Sequence, residues 1–235
     1  WLHQVSCDVK VTGVVQRAAD YYGQYLSNPA TQLRAVFDVP AEHSMVTNDF
    51  GNGCSFLGEP FINNCQYDAA GALLSWIYDG VLHPPASRRL VDLNQVVTLN
   101  QASFIPSTCP FSAGQIGLFG SAYVYVPAAC TSRSGGGNEV RCLLHVAFHG
   151  CLQTVPNINS TYFTKAGYNA WAETNRIVVL YPQAQSNSLN PQVCWSLQTD
   201  QGCFDWWGYS GVNYATKYGC QMATVKAMMD YLVGV

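Results

Sequence analysis

The sequence predicts a three-layer α/β domain, and two observations indicate this fold class. The apolar runs at 143–148 and 177–181 are typical of buried strands in a parallel sheet, and a helical pattern over about 162–175 lies between them. Strand, helix and strand in this order predict a βαβ unit with a right-handed crossover. Alternating β-type residues between 90 and 130 predict an antiparallel excursion of the same domain.

The remaining elements follow from periodicity and from turn residues. Apolar residues at helical spacing predict helices over 11–27 and 66–80, and a short strand over 33–39 lies between them. A last helix over about 213–233 closes the chain. We interpret residues 1–235 as a single domain, since its hydrophobic content of 49% is ample for one core.

Composition excludes several classes of protein. Only 11% of the residues are charged and the net charge is −3, which leaves no basic field for nucleic acid. The aromatic content of 13% excludes disorder. Polar residues interrupt every long uncharged stretch, so we expect no membrane span.

The ten cysteines predict disulfides rather than metal sites, because no C-x-x-C pair occurs. The N-glycosylation sequon at Asn159 is in keeping with passage through the oxidising secretory pathway, and it predicts a secreted glycoprotein. The chain begins with Trp1 and has neither Met nor signal peptide, so we expect it to be processed or part of something longer. Spacing favours three local disulfide pairs, which are Cys54/Cys65, Cys130/Cys142 and Cys194/Cys203.

A His-Gly dipeptide at the end of the 143–148 strand suits an oxyanion hole. Glycine lets the backbone turn sharply, so the amide of Cys151 can point at a developing oxyanion. The alternative interpretation is that this segment is an ordinary Gly-containing βα turn without a catalytic role. His145 and His149 are four residues apart, which makes a metal pair conceivable, but no third ligand stands at a useful spacing. We therefore expect neither a metal nor a cofactor.

A base and an acid are present, but a nucleophile is not visible. His43 lies in a loop after a strand, where a catalytic base is often placed, and Asp8 is a candidate for the acid that orients it. No G-x-S-x-G motif occurs, and the segment around Ser210 is one residue short of it. A thiol of Cys7 or Cys151 acting with His43 is the alternative, although both cysteines are better explained as bridged.

Taken together, several motifs resemble the secreted poly(3-hydroxybutyrate) depolymerases of the fungal single-domain type, over nearly the whole chain. The segment Ala41–Phe50 is similar to the family's histidine loop with one inserted residue, and 144–153 is similar to its L-H-V-A-x-H-G-C-L-Q signature. Further matches lie at 64–78, 167–172, 180–184 and 202–206.

The resemblance implies an α/β-hydrolase-like fold in circularly permuted order. It implies that His43 is the catalytic histidine, Asp8 the catalytic aspartate and the Cys151 amide an oxyanion donor. It further implies a Cys151–Cys203 disulfide and leaves Cys7, Cys109 and Cys220 without an assigned partner. The family's serine lies upstream of that aspartate, so we expect the N-terminal part with the nucleophile elbow to be absent from this chain.

Aromatic side chains in the Cys-rich segment near the C-terminus predict contacts with a polymer. The family usually has Trp directly after its Gly-Cys pair, whereas this chain has Phe204. We expect Phe204, Trp206, Trp207 and Tyr209 to bind substrate, because rings suit a flat polymer surface.

Two functional hypotheses follow from these residues. The first is a secreted serine esterase that acts on polyester or short-chain esters, with its serine on an N-terminal fragment or companion chain. The second is a non-catalytic extracellular polymer- or glycan-binding protein on the same scaffold. A metalloprotein that uses His145 and His149 is a third, less favoured alternative.

Overall fold

The described residues form two units. The computed structural model describes residues 2–3, 13–87, 91–131, 141–186 and 201–234. One unit extends to Leu82 and includes Lys165–Gly167, and the other comprises the rest from His83 onward. The single domain over 1–235 stays a prediction, and each unit is described by itself.

Short parallel strands and two longer helices build the first unit. Strands β1 and β2 pair in parallel, and β5 lies between β3 and β4, parallel to both. The Asp68 side chain caps α3 by accepting a hydrogen bond from the Gly71 amide at 3.0 Å. The elements are β1 (Leu2–His3), α1 (Val14–Gly23), α2 (Pro29–Gln32), β2 (Ala35–Val36), β3 (Met45–Thr47), β4 (Asn52–Gly53), β5 (Ile62–Asn64) and α3 (Ala69–Ile77).

A four-stranded mixed sheet organises the second unit, in the order β6-β7-β9-β8. Strands β6, β7 and β9 pair in antiparallel fashion, whereas β8 and β9 are parallel. The elements are β6 (Val96–Asn100), β7 (Ser121–Tyr125), α4 (Ala128–Thr131), β8 (Leu143–Val146), α5 (Val155–Ile158), α6 (Thr161–Lys165), α7 (Tyr168–Asn175), β9 (Ile177–Tyr181) and α8 (Cys220–Val233), with 3-10 turns at Leu93–Gln95 and Gln101–Phe104.

Helices cover both faces of this sheet, which confirms the predicted α/β class. On one face, Leu180 of β9 packs in a core cluster with Val225 and Met228 of α8. On the other face, the Phe163 ring stacks on Tyr123 with their centroids 4.3 Å apart. Every strand residue of β9 is buried except for one of intermediate exposure, because helices lie above and below it.

The strand at 143–148 differs from its prediction. It pairs in parallel with β9 as expected, but β8 is half-buried and Leu143 is exposed. Among the described strands, β8 lies at the edge of the sheet, and an edge strand has a neighbour on one side only. The predicted strands near 96–100 and 121–125 are present, and they extend the same sheet.

Two helix boundaries were predicted wrongly. The helix expected over 162–175 is divided into α6 and α7, and Gly167 between them has a φ of 97°, which a helix does not accommodate. The last helix begins at Cys220 rather than at 213. A Cβ on the preceding Gly219 would lie 2.7 Å from the Tyr214 carbonyl oxygen, so a tight turn precedes α8.

Four disulfides cross-link the described part of the chain. The Cys194–Cys203 pair that spacing favoured is wrong. Cys203 bonds Cys151 instead, 52 residues away, because the fold brings the end of β8 next to the Gly202 turn. Cys109 bonds Cys220 across 111 residues. The local pairs Cys54–Cys65 and Cys130–Cys142 are confirmed. Cys7, Cys194 and the loop at 132–138 lie outside the described residues.

Candidate active site

His43 lies in a loop of the first unit that is held on both sides by backbone hydrogen bonds. The Glu42 amide donates to the Cys54 carbonyl at 2.9 Å, and the Met45 amide donates to the Phe61 carbonyl at 2.8 Å. Cys54 is itself bonded to Cys65. The His43 side chain is partly buried. These bonds fix the backbone that carries the His43 side chain, and a rigid backbone is a favourable support for a catalytic base. Asp8, its predicted partner, lies outside the described residues.

The predicted oxyanion turn follows β8 in the second unit. The Gly150 amide donates to Gln153 Oε1 at 2.8 Å, and the Leu152 amide donates to the Gln201 carbonyl at 2.6 Å. Leu152 has a φ of 62°, which shows how sharply the backbone turns. Within the part of the chain that the structure describes, no group accepts from the Cys151 amide between them. The turn therefore presents one amide that is available to a ligand.

The Cys151 thiol is not a nucleophile, because the sulfur is used in the bond to Cys203. The disulfide instead ties the oxyanion turn to the segment that carries the aromatic side chains. The hypothesis of a cysteine at 151 acting with His43 is therefore wrong.

His149 is buried at the start of this turn, and both of its ring nitrogens have backbone partners. Nδ1 lies 2.7 Å from the Gly150 carbonyl oxygen, and Nε2 accepts from the Ala184 amide at 3.1 Å. Burial lowers the pKa of His149 to about 4, although the bond to Gly150 opposes the shift. The imidazole is thus neutral at pH 7, and neither nitrogen is left to bind a metal.

His145 has a different environment from His149. Its ring stacks on Tyr168 with their centroids 5.4 Å apart, and burial lowers its pKa to about 4. Within the described ranges, no cluster of three or more His, Cys, Asp or Glu side chains is arranged to hold a metal ion. The geometry around His149 therefore argues against the metalloprotein hypothesis.

We expect the free energy of unfolding to fall as the pH is lowered from about 6.5 to about 4. His145 and His149 have folded-state pKa values of about 4 against an ordinary value of 6.5, so the unfolded chain takes up protons first. Their contribution is complete above pH 6.5 and is lost as the pH falls to 4. At 1.36 kcal/mol per pKa unit, each residue accounts for about 3 kcal/mol.

Urea unfolding of three proteins at pH 7 and pH 4.5 tests this pH dependence. His145→Phe keeps a ring against Tyr168 and should remove about half of the loss due to the two histidines. His83→Ala is the control, because His83 is exposed and should leave the loss unchanged. A His145→Phe variant with the same pH dependence as the wild type would contradict the assignment.

The aromatic segment is shaped by Asp205, which the sequence did not single out. Its Oδ1 accepts from the amides of Trp207, Gly208 and Tyr209 at 3.1, 2.7 and 3.1 Å. Its Oδ2 accepts from the amide and the hydroxyl of Ser210 at 2.8 and 2.6 Å. One carboxylate therefore organises the whole loop. The signal in the sequence is an Asp followed by Gly and Ser in a turn.

Ser210 has a structural role in this arrangement. Its side chain is buried and its hydroxyl donates to Asp205. Among the described residues, the hydrogen bonds given above join its hydroxyl and its amide to Asp205 and include no histidine. The incomplete elbow motif around Ser210 is thus explained by loop geometry.

The four predicted substrate-binding side chains lie in different environments. Phe204 is partly buried against the rings of Phe148 and His149, at centroid distances of 5.1 and 4.9 Å. Trp206 is 58% exposed and packs edge-on against Trp207. The Tyr209 hydroxyl is used inside the fold. It donates to the Cys203 carbonyl and accepts from Gln221 Nε2, at 2.7 and 2.9 Å. Burial raises the pKa of Tyr209.

The strand-end segment 182–185 is fixed by a buried glutamine that the sequence analysis missed. Gln101 donates to the carbonyls of Phe119 and Gln183 at 2.8 and 2.7 Å and accepts from the Gln183 amide at 3.1 Å. A buried glutamine that is satisfied in this way supports the backbone on which His149 rests. An uncharged glutamine in a turn carries no recognisable signal in a sequence.

Comparison with known proteins identifies relatives of this chain. A poly(3-hydroxybutyrate) depolymerase of Delftia acidovorans is 38% identical over 219 residues, which are 93% of this chain and 39% of that protein. A polyhydroxybutyrate depolymerase of Talaromyces funiculosus is 37% identical over 199 residues, which are 82% of this chain and 54% of that protein. The chain thus spans about half the length of these relatives, or less. No protein-family model matches it.

Two solved structures share its fold. A PHB depolymerase from Penicillium funiculosum superposes with a TM-score of 0.78 at 31% identity, covering 95% of this chain and 66% of the other. A PHB depolymerase complexed with an R3HB trimer superposes with a TM-score of 0.70 at 34% identity, covering 85% and 59%. The mixed sheet, covered by helices on both faces, thus defines an α/β-hydrolase-like protein. Its relatives place the chain in the fungal-type PHB depolymerase family.

Proposed function

We propose that the protein containing this chain is a secreted serine carboxylic-ester hydrolase that cleaves a polyester. The observation that carries the proposal is the turn at Cys151, which presents a backbone amide at the end of a sheet strand. It adjoins a segment in which Trp206 is exposed. The relatives named as PHB depolymerases support polyester as the class of substrate, and the R3HB trimer complex of one of them supports the same class.

The proposed mechanism assigns one role to each candidate residue. A serine hydroxyl attacks the ester carbonyl carbon while His43 takes its proton, and Asp8 orients the imidazole. The Cys151 amide donates to the oxyanion of the tetrahedral intermediate. His43 then protonates the leaving alcohol, and water releases the acid in a second round. Loss of one oxyanion donor costs about 10²–10³ in rate.

We propose that the serine is supplied from outside these 235 residues, by an N-terminal fragment or a companion chain. The described part of the chain supports this, because its one near-elbow serine, Ser210, is tied to Asp205. The circularly permuted order belongs to the same proposal. No helix in the described ranges is long and apolar enough to cross a membrane.

Secretion and glycosylation complete the proposal. Four disulfides are typical of an oxidising compartment, and Asn159 is exposed at the end of α5. Mass spectrometry of the peptide that contains Asn159, before and after glycosidase treatment of secreted protein, tests both. An unmodified Asn159 would contradict the glycoprotein assignment.

Polyester hydrolysis by the full-length protein is the direct test of function. We expect release of 3-hydroxybutyrate oligomers from a polyhydroxybutyrate film and hydrolysis of short-chain aryl esters. A binding protein on the same scaffold would adsorb to the film without releasing product. Adsorption without hydrolysis by correctly folded, full-length protein would therefore favour that second function and contradict the first.

A further inference from the structure

The buried imidazole of His149 is bound as a defined tautomer. Its Nε2 accepts a hydrogen bond from the Ala184 amide, so that nitrogen carries no proton. The proton of the neutral ring is therefore on Nδ1, which donates to the Gly150 carbonyl oxygen at 2.7 Å. These two partners therefore define both the charge and the tautomer of the His149 imidazole.

The carbonyl that His149 holds belongs to the peptide group of the oxyanion donor. The Gly150 C=O and the Cys151 N–H are the two ends of one planar trans peptide, and in such a group they point in opposite directions. Fixing the carbonyl toward the imidazole therefore directs the Cys151 N–H away from it. The Gln153 amide also donates to this carbonyl, at 3.2 Å, but it belongs to the same turn and moves with it.

We propose that His149 is a positioning residue for catalysis: its imidazole anchors the Gly150–Cys151 peptide to the sheet and so aims the oxyanion donor. This inference rests on the proposed function, since it assigns a role in ester hydrolysis to a buried histidine whose ring nitrogens both contact the backbone.

The anchor itself is rigid. Ala184 is fully buried just beyond β9, and its neighbours are fixed by backbone bonds. The Gln185 amide donates to the Gly117 carbonyl, and the Phe119 amide donates to the Gln183 carbonyl, both at 2.9 Å. The His149 ring is packed against Phe204, with the centroids 4.9 Å apart. The imidazole thus connects the glycine turn after β8 to the buried segment after β9.

Two substitutions of His149 test its two hydrogen bonds individually, because each keeps one bond and removes the other. In His149→Asn the side-chain amide nitrogen takes about the position of Nδ1, so the donor to the Gly150 carbonyl is kept and the bond to Ala184 is lost. In His149→Gln the longer side chain reaches the position of Nε2, so the acceptor for Ala184 is kept and the donor to Gly150 is lost. Both variants leave the Cys151–Cys203 disulfide intact.

Steady-state hydrolysis of a short-chain aryl ester by the full-length protein gives the first readout. We expect His149→Gln to lower kcat about 10- to 100-fold, with KM changed less than about threefold, since only the transition state carries the oxyanion. His149→Asn should retain more of kcat than His149→Gln. His145→Gln is the matched control, because it replaces a half-buried histidine on the strand that leads into the same turn and should leave kcat near the wild-type value.

Nitrogen NMR of the wild-type protein gives a readout that needs no variant to fold. We expect His149 to be neutral at pH 7 with its proton on Nδ1, and a proton on Nε2 would overturn the proposal. Wild-type kcat in a folded His149→Gln variant would also overturn it while leaving the esterase function intact. A wild-type protein without esterase activity would instead refute the proposed function, so the two failures are distinguishable.

Discussion

Replacing His43 by alanine in the full-length protein is expected to lower kcat/KM for ester hydrolysis by about 10⁴-fold or more. Without the imidazole, the attacking serine keeps its proton and the leaving alcohol receives none. The loop itself should persist, because the hydrogen bonds that flank His43 run between backbone atoms. Activity should thus fall without a matching fall in thermal stability, as measured by enzyme assay and thermal unfolding.

His83→Ala is the matched control for this experiment. The His83 side chain is exposed, and the hydrogen bonds that the structure gives for this residue use its backbone amide and carbonyl, both with Asn175. The control should keep wild-type kcat/KM. Full activity in a folded His43→Ala variant would remove His43 from the mechanism.

Replacing Asp205 by asparagine is expected to lower the free energy of unfolding by about 2–4 kcal/mol. The carboxylate accepts from four backbone amides and one hydroxyl, and hydrogen bonds to a charged acceptor contribute about 1.5–3 kcal/mol each. In asparagine an NH2 group replaces one of the two carboxylate oxygens. This donor then faces other donors, either those of Ser210 or the amides of residues 207–209. Chemical unfolding monitored by tryptophan fluorescence measures the change.

Asp92→Asn controls for a change of charge alone. Asp92 is exposed and its side chain accepts from the Asn94 amide at the start of a short turn, so the substitution should cost less than about 1 kcal/mol. Equal losses for the two variants would mean that the Asp205 carboxylate does not organise the aromatic loop.

Asp205→Asn has a second consequence if Trp206 contacts polymer. The loop presents an indole that is 58% exposed, and the carboxylate fixes the backbone beside it. If the backbone beside Trp206 is no longer fixed, hydrolysis of an insoluble film should fall more than hydrolysis of a soluble aryl ester, because only binding to the film requires an extended protein surface. This comparison separates an adsorption role from a general loss of folded protein.

The sequence predicted those parts of the fold that depend on local patterns. The apolar run that forms β9 is recognisable because this strand is buried between helices, and the similar run at β8 pairs with it in parallel although β8 is only half-buried. The local disulfides Cys54–Cys65 and Cys130–Cys142 follow from spacing in the same way. The helical pattern over 162–175 gave the right class of element, but it did not show the interruption at Gly167.

Long-range partners were not predictable from the residues alone. Cys109 and Cys220 are separated by 111 residues, and a cysteine carries no signal that names its partner. The Cys151–Cys203 bond came from the resemblance to the depolymerases, whereas spacing favoured the wrong partner. The pairing of cysteines that are distant in the sequence is decided by the fold, so the residues alone do not predict it.

The candidate site, like the fold, was predicted only in part from the sequence. The sequence located the Cys151 turn, because a glycine directly after an apolar strand is a recognisable feature. It did not show that His149 holds this turn, because the partner amide belongs to Ala184, 35 residues further along the chain. Asp205 was not singled out for a similar reason: the Gly and Ser that follow it indicate a turn, but the convergence of four amides and a hydroxyl on its carboxylate depends on the folded loop.

The low charge of the chain is compatible with the proposed polyester substrate. Only 11% of its residues are charged, and an exposed, uncharged side chain such as Trp206 can contact a water-insoluble polymer without dehydrating ions. Dehydration of an ionised group is costly, whereas burial of an aromatic ring is favourable. The composition is therefore compatible with the polyester proposed as substrate.

Labelling of the secreted, non-reduced protein with a fluorophosphonate, followed by peptide mass spectrometry, shows whether the nucleophilic serine is supplied from outside residues 1–235. We expect one labelled serine, on a peptide outside residues 1–235, and protection of that serine by a 3-hydroxybutyrate oligomer. A label on a serine within residues 1–235, such as Ser210, would contradict the claim, as would active protein that takes up no label at all.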